Sequence, residues 1–182
     1  MKIELENCMV AIDAEATREY YARRPVEPLC GCGCEYCRSF IAHAHRFSDK
    51  VKEFFASCGI DDLLCVTEIS PLYEKEGFAY VDGWFFAVGS MEGGDPPKIW
   101  VPPLKGFRGL LYKLLFTGKK RKEHERHVEE LLEVQRMSRE LKIDDDFSVY
   151  FMNSGDLIPA DFPENHMAIK FCTRVPLLPD EG

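Results

Sequence analysis

The apolar and polar positions of this chain divide it into strands and helices before any chemistry is considered. Over residues 2–12, Ile3 and Leu5 share one parity and Cys8, Val10 and Ile12 the other. This predicts a strand with a bulge or bend near Asn7, where the parity switches. Asp13 is placed to cap a helix over 15–24, which Pro25 and Pro28 stop. From 38 to 58, Phe40, Ala44, Phe47, Val51, Phe54, Phe55 and Cys58 recur at three- or four-residue intervals. That spacing predicts one long helix with an apolar stripe, stopped at Gly59.

Residues 63–73 are strand-like and interrupted at Pro71. Residues 77–91 predict a hairpin, with Phe78 to Val81 and Trp84 to Val88 joined by a turn at Asp82-Gly83. Aromatics on both parities predict that part of this sheet is covered on both faces. A short strand over 99–101 is followed by two helical stretches, 104–116 and 123–141. Strands over 147–151 and 167–172 complete the pattern. The fold class this predicts is α+β: a mainly antiparallel sheet of about five to seven strands, one long packed helix, and a helical excursion at about 104–141. A chain of 182 residues suits a single domain over 1–182 and is short for two.

Chemistry enters at residues 30–37, where Cys30, Cys32, Cys34 and Cys37 place half of the eight cysteines within eight residues, interleaved with Gly31 and Gly33. Thiolates this close can face a common centre, and glycines let the backbone wrap around it. Zinc takes four ligands tetrahedrally, usually as two pairs from separate parts of a chain. Only one such cluster is present, so the expected metal set is Cys32, Cys34 and Cys37, with Cys30 as a further candidate or a fourth ligand from elsewhere. His43, at the edge of the apolar stripe, is one candidate for it, with His45, Cys8, Cys58 and Cys65; for the two histidines a surface or boundary imidazole is the commoner role, and Cys58 lies on the stripe, where core packing is. The sulfurs are expected to gather apart from the hydrophobic interior. Three rival readings stand beside zinc: small buried apolar side chains, a redox pair at Cys34 and Cys37, and a structural disulfide, which needs an oxidising compartment.

Charge changes the picture in one place. The net charge is −8, which argues against nucleic acid as a partner. Yet residues 98–122 hold eight lysines and arginines and no acid, leaving −16 for the remainder. This basic, helical insertion over 98–141 is an interaction surface, or an element lying on its own acidic body. Leu104, Phe107, Leu110, Leu111, Leu114 and Leu115 also suit a membrane-surface helix, although core packing causes such patterns more often. His124, His127 and Glu130 have metal-ligand spacing without the matching second helix a paired-iron site needs. Asp144, Asp145 and Asp146 lack the glycine and distal glutamate of a calcium loop and suit an acidic linker. The acidic N-terminal residues and the lack of any run of ~20 apolar residues predict a soluble cytoplasmic protein with reduced thiols.

Two stretches together carry a resemblance. Cys32-Gly-Cys34-Glu-Tyr-Cys37-Arg-Ser-Phe40 and Leu157-Ile-Pro-Ala-Asp-Phe-Pro163, with Ile169-Lys-Phe171 and Val175-Pro-Leu after it, resemble an uncharacterised family of short bacterial proteins. That family shows a Cys-x-Cys-x-x-Cys-Arg motif leading into a helix and a C-terminal Phe-Pro strand segment. No activity is attached to it, so the resemblance implies one domain and the importance of Cys32, Cys34 and Cys37. Cys30 is an addition of this sequence, and residues 98–141 have no counterpart.

No Gly-rich phosphate loop, Gly-x-Ser-x-Gly elbow or His-Glu-x-x-His is present. The leading expectation is a non-enzymatic binding or interaction protein, with a protein partner and a structural, zinc-binding cysteine loop. One alternative is a metal- or thiol-dependent enzyme using Cys34 or Cys37, with His43 as base. Another is a membrane-peripheral or toxin-neutralising partner protein using residues 98–122.

Overall fold

The parity switch in the first twelve residues marks a chain reversal. In the computed structural model, β1 (Lys2–Leu5) and β2 (Cys8–Ile12) form an antiparallel hairpin with Leu5 opposite Cys8, in place of one bulged strand. The structure describes residues 1–6, 8–24, 33–93, 140–153 and 158–178. Asp13 then caps α1 (Ala14–Ala22), its carboxylate accepting from the Ala16 N–H at 3.0 Å.

The stripe over 38–58 is split between α2 (Glu35–Ala44) and α3 (Asp49–Ser57), which corrects the expectation of one long helix. Ser48 is the reason: its Oγ accepts from the Val51 N–H at 3.3 Å and starts a new helix. The stripe nevertheless continues across the turn. Phe40, Ala44, Phe47, Val51, Phe55 and Cys58 are all buried.

A second correction concerns residues 77–91. The hairpin turn lies at Glu76 and Gly77, with φ of 54° and 80°, between β3 (Glu68–Lys75) and β4 (Phe78–Gly93). Two residues with positive φ match the twist of the strands they join. Asp82 and Gly83 lie inside β4. A Cβ at Gly83 would come within 2.5 Å of the Phe171 ring, so glycine there serves close packing and not a turn.

Beyond β4 come β5 (Glu140–Lys142), β6 (Phe147–Met152) and β7 (His166–Pro176). Glu140 and Leu141, expected at the end of a helix, belong to β5; the rest of the 98–141 insertion lies outside the described residues. The sheet runs β1-β2-β4-β7-β6-β5, with β3 also on β4, and every pairing is antiparallel. With three α-helices and seven strands among the described residues, the chain forms one α+β domain.

Two apolar clusters cover opposite faces of β4. The larger holds Phe40, Phe47 and Phe55 against Phe85, Phe147 and Phe171. Phe171 is its hub, with ring centroids 5.4 Å from Phe40, 5.5 Å from Phe85 and 5.3 Å from Phe147. The smaller holds Phe86, Val88, Phe162 and Ala168, with Ala16 and Tyr20 of α1 against it. The expectation of a sheet covered on both faces holds at this end.

Helix α1 also fills a gap. On one edge of β4, pairing with β3 ends at Trp84 and pairing with β2 begins at Gly89. Between them the Val88 N–H donates to Thr17 Oγ1 at 2.9 Å, and Val88 O accepts from the Asp13 N–H at 2.8 Å. Side chains and the helix start thus replace missing strand partners.

Candidate functional site

The cysteine turn enters the described residues at Gly33, whose φ of +58° suits glycine and brings the chain into α2. Cys34 is the residue before the helix, with φ −66° and ψ 161°, and makes no side-chain cap. Cys37, one turn on, is 3% exposed and belongs to the larger apolar cluster. The two Sγ atoms are 3.4 Å apart. Cys37 is disulfide-bonded. Cys30 and Cys32 lie outside the described residues.

Two expectations are modified. Cys37 does not stand apart from the interior, because the helical phase that puts Phe40 and Ala44 inward also carries it there. His43 is not brought to Cys37. Six residues beyond Cys37, it lies about 9 Å further along the helix and about 240° around it. Its ring meets Phe47 edge-on at 5.5 Å, and burial, with Arg46 and His45 nearby, pulls its pKa below the ordinary histidine range. Cys8 and Cys58 are core residues, and burial pushes the Cys58 thiol up to about 12. Among the described residues no three His, Cys, Asp or Glu side chains are gathered to hold a metal ion.

The cysteine pair can be compared with zinc directly. Thiolates at about 2.3 Å from a tetrahedral ion stand about 3.8 Å apart, close to the 3.4 Å between Cys34 and Cys37. A disulfide sulfur, however, is not a thiolate. With Cys37 in its disulfide the pair does not fit zinc; the reduced pair has the donor chemistry zinc takes.

A second candidate lies on the sheet face that continues from Phe86 and Val88. Across neighbouring strands Trp84, Lys170 and Tyr150 stand side by side in register. Lys170 Nζ pairs with Asp82 and lies 4.7 Å from the Trp84 ring centroid and 5.6 Å from that of Tyr150. Burial opposes its charge, but hydrogen bonds to Asp82 and Tyr150 prevail and raise its pKa. This ammonium is held charged by its neighbours, which suits structure and recognition rather than nucleophilic attack.

Further along the same face, Tyr73 stacks on Tyr80 at 4.4 Å and 15°. Arg174 pairs with Asp146 at 2.8 Å and lies 4.9 Å from the Phe78 ring centroid. Tyr73, Tyr80, Asp146 and Arg174 line an open groove of about 510 Å³ with Leu72 and Cys172. Leu72 and Tyr73 are 48% and 55% exposed, large apolar side chains on a strand that pairs with β4 alone among the described residues. The aromatics of β4 are visible in the sequence, but this groove is not. Its residues come from strands far apart in the chain, and Tyr73 is aimed by a register shift between Pro71 and Tyr73 that alternation does not reveal.

Among the described residues no helix is long and apolar enough to cross a membrane. Compared with protein-family models, curated proteins and solved structures, the chain matches none.

Proposed function

We propose that this chain is a non-enzymatic binding protein that holds a protein partner on the groove lined by Leu72, Tyr73, Tyr80 and Arg174, with the cysteine turn as a structural clasp. The observation that carries the reading is the exposed Leu72-Tyr73 pair beside a stacked tyrosine and an arginine. Tyrosine and arginine are enriched where proteins meet, and apolar side chains at half exposure contribute most once a partner covers them. The cysteine turn supports the structural half. It anchors the start of α2 through Cys37, and zinc is the cofactor we propose for its reduced form.

Membership of the short bacterial family, and a cytoplasmic site of action, are proposed on the same footing, from the motif at Cys32, Cys34 and Cys37 and from composition. A thiol enzyme with His43 as base draws no support from the placement of that histidine. The membrane-peripheral or toxin-neutralising alternative rests on residues 98–122, outside the described residues.

Capture of partners from source cells by the wild-type chain and by a Leu72→Ser/Tyr73→Ala variant tests the surface. The expected result is a partner at defined stoichiometry with the wild type and at least tenfold less with the variant, at unchanged melting temperature. Equal capture by both, or none by either, would count against it. About one zinc per reduced chain, with no thiol alkylated near neutral pH, would support the clasp and leave the enzyme alternative without a nucleophile.

A further inference from the structure

The groove has two unlike flanks. Across neighbouring strands Tyr73, Tyr80 and Arg174 stand opposite one another, and the pairing of Thr173 with Phe147 brings Asp146, the residue before β6, beside Arg174. At about 4.8 Å per strand this row is about 14 Å long, with exposed Leu72 and Tyr73 at one end and carboxylates at the other. Four acids, Glu140, Asp144, Asp145 and Asp146, line the groove against two cations. Both cations are already engaged: Lys142 pairs with Asp145 at 3.2 Å, and Arg174 meets the two oxygens of Asp146 at 2.8 and 2.9 Å. Glu140 and Asp144 stand in no ion pair among the described residues. Asp144 is held in place by the Ser48 hydroxyl, which donates to it at 2.5 Å, and by the Asp146 N–H at 3.0 Å. The adjoining cavity of about 340 Å³ brings in Arg46 and His43, so the surplus of negative charge ends there.

We propose that the partner of this groove is an extended protein segment with an apolar residue for the Leu72-Tyr73 end and, about four residues away, one or two lysines or arginines for the carboxylate end. The inference rests on the groove reading above and names the chemistry of its partner. At about 3.3 Å per residue, four extended residues span the 14 Å between the flanks. Covering the apolar end supplies most of the affinity. The carboxylates supply the choice of partner, because exposed charges add little energy but count heavily against a like-charged competitor. Two surplus carboxylates, bounded by Arg46, match one or two cations and not a long basic tract. The net charge of −8 steers cationic partners toward the chain.

Three fluorescein-labelled peptides of twelve residues in a Gly/Ser background test this on the full chain by anisotropy in about 50 mM NaCl. The first carries Leu-Tyr and, four residues on, Lys-Arg; the second has Glu-Glu in place of Lys-Arg; the third has Ser-Ser in place of Leu-Tyr. The first should bind at least tenfold more tightly than either of the others, and about 500 mM NaCl should erase most of its advantage over the second. Asp145→Lys with Asp144→Asn, which keeps an acceptor for Ser48, should weaken the basic peptide at least fivefold and strengthen the acidic one, at unchanged melting temperature. Equal binding of the basic and acidic peptides, or no response to that variant, would overturn the cationic partner. So would binding of no peptide, whether light scattering shows a dimer closed on the groove or a monomer whose own residues cover it. The groove is tested separately with Leu72→Ser/Tyr73→Ala. If that variant weakens the first two peptides alike while charge makes no difference, only the cationic partner falls; if it binds the basic peptide as tightly as the wild type, the groove reading falls too.

Discussion

The hydroxyl of Tyr21 satisfies both backbone groups of Phe86, donating to its carbonyl at 2.9 Å and accepting from its N–H at 3.1 Å. Phe86 lies in the stretch of β4 that neither β2 nor β3 reaches on this edge, so one side chain does the work of a strand. Burial pushes the phenol's pKa well above its ordinary value, although the bond to Phe86 draws it down. Tyr21→Phe keeps the packing and strands two buried backbone groups. It should cost about 2–4 kcal/mol, read as a lower urea midpoint at unchanged slope. A loss under 0.5 kcal/mol would mean that water or another strand serves Phe86.

Gly83 and Phe171 test the corrected position of the hairpin turn. With Phe171 Cζ at 2.5 Å from the place of a Cβ and Glu68 O at 2.6 Å, Gly83→Ala must displace either the hub of the ring cluster or β3. A loss of about 1–3 kcal/mol in chemical denaturation is expected. A neutral variant would show that neither the Phe171 ring nor β3 closes on Gly83.

Asp82 and Lys170 form the pair with the least exposed side chains among the described ion pairs, at 9% and 19%. Asp82→Ala leaves the ammonium half-buried between two rings and should cost about 3 kcal/mol. Asp82→Ala with Lys170→Met removes both charges and should recover most of that. Thermal melts of the four chains close the cycle. Equal losses in the single and double variants would show that packing, not charge, is what Asp82 supplies.

Alkaline pH should unfold this protein early. Burial holds the Cys58 thiol up near 12 and the Cys65 thiol near 11, against an ordinary 9.0, and burial also lifts Tyr20 to about 12. Each folded-state value lies above its unfolded one, so the unfolded chain loses protons first. The stability they confer is complete below pH 9 and falls as pH rises towards 11–12. Cys58 alone contributes a slope of about 1.4 kcal/mol per pH unit in that window. Urea midpoints between pH 8 and 11 should fall steadily, and Cys58→Ala should flatten the decline. A flat profile in the wild type would show that these thiols ionise in the folded chain.

Much of the architecture was legible in local pattern. The helix behind Asp13, the inward stripe from Phe40 to Cys58 and the strands that became β6 and β7 follow from spacing, because amphipathic period and capping act over a few residues. Errors came where a local signal had two physical causes. A parity switch at Asn7 stands equally for a bulge and a reversal. Asp-Gly at 82–83 is a turn signature in isolation, yet a half-buried lysine and a phenylalanine ring nearly ninety residues later claim those positions.

The sequence by itself determined which residues face inward, how the backbone is capped, and that sulfur chemistry is concentrated between Cys30 and Cys37. These depend on neighbours within a turn or two of the same element. Only the tertiary structure decided that Asp82 and Gly83 lie inside β4, that Lys170 sits beside Trp84 and Tyr150, and that Tyr73, Tyr80 and Arg174 share one groove. Those relations depend on register and packing between segments far apart in the chain, where a shift of one residue puts a side chain on the opposite face.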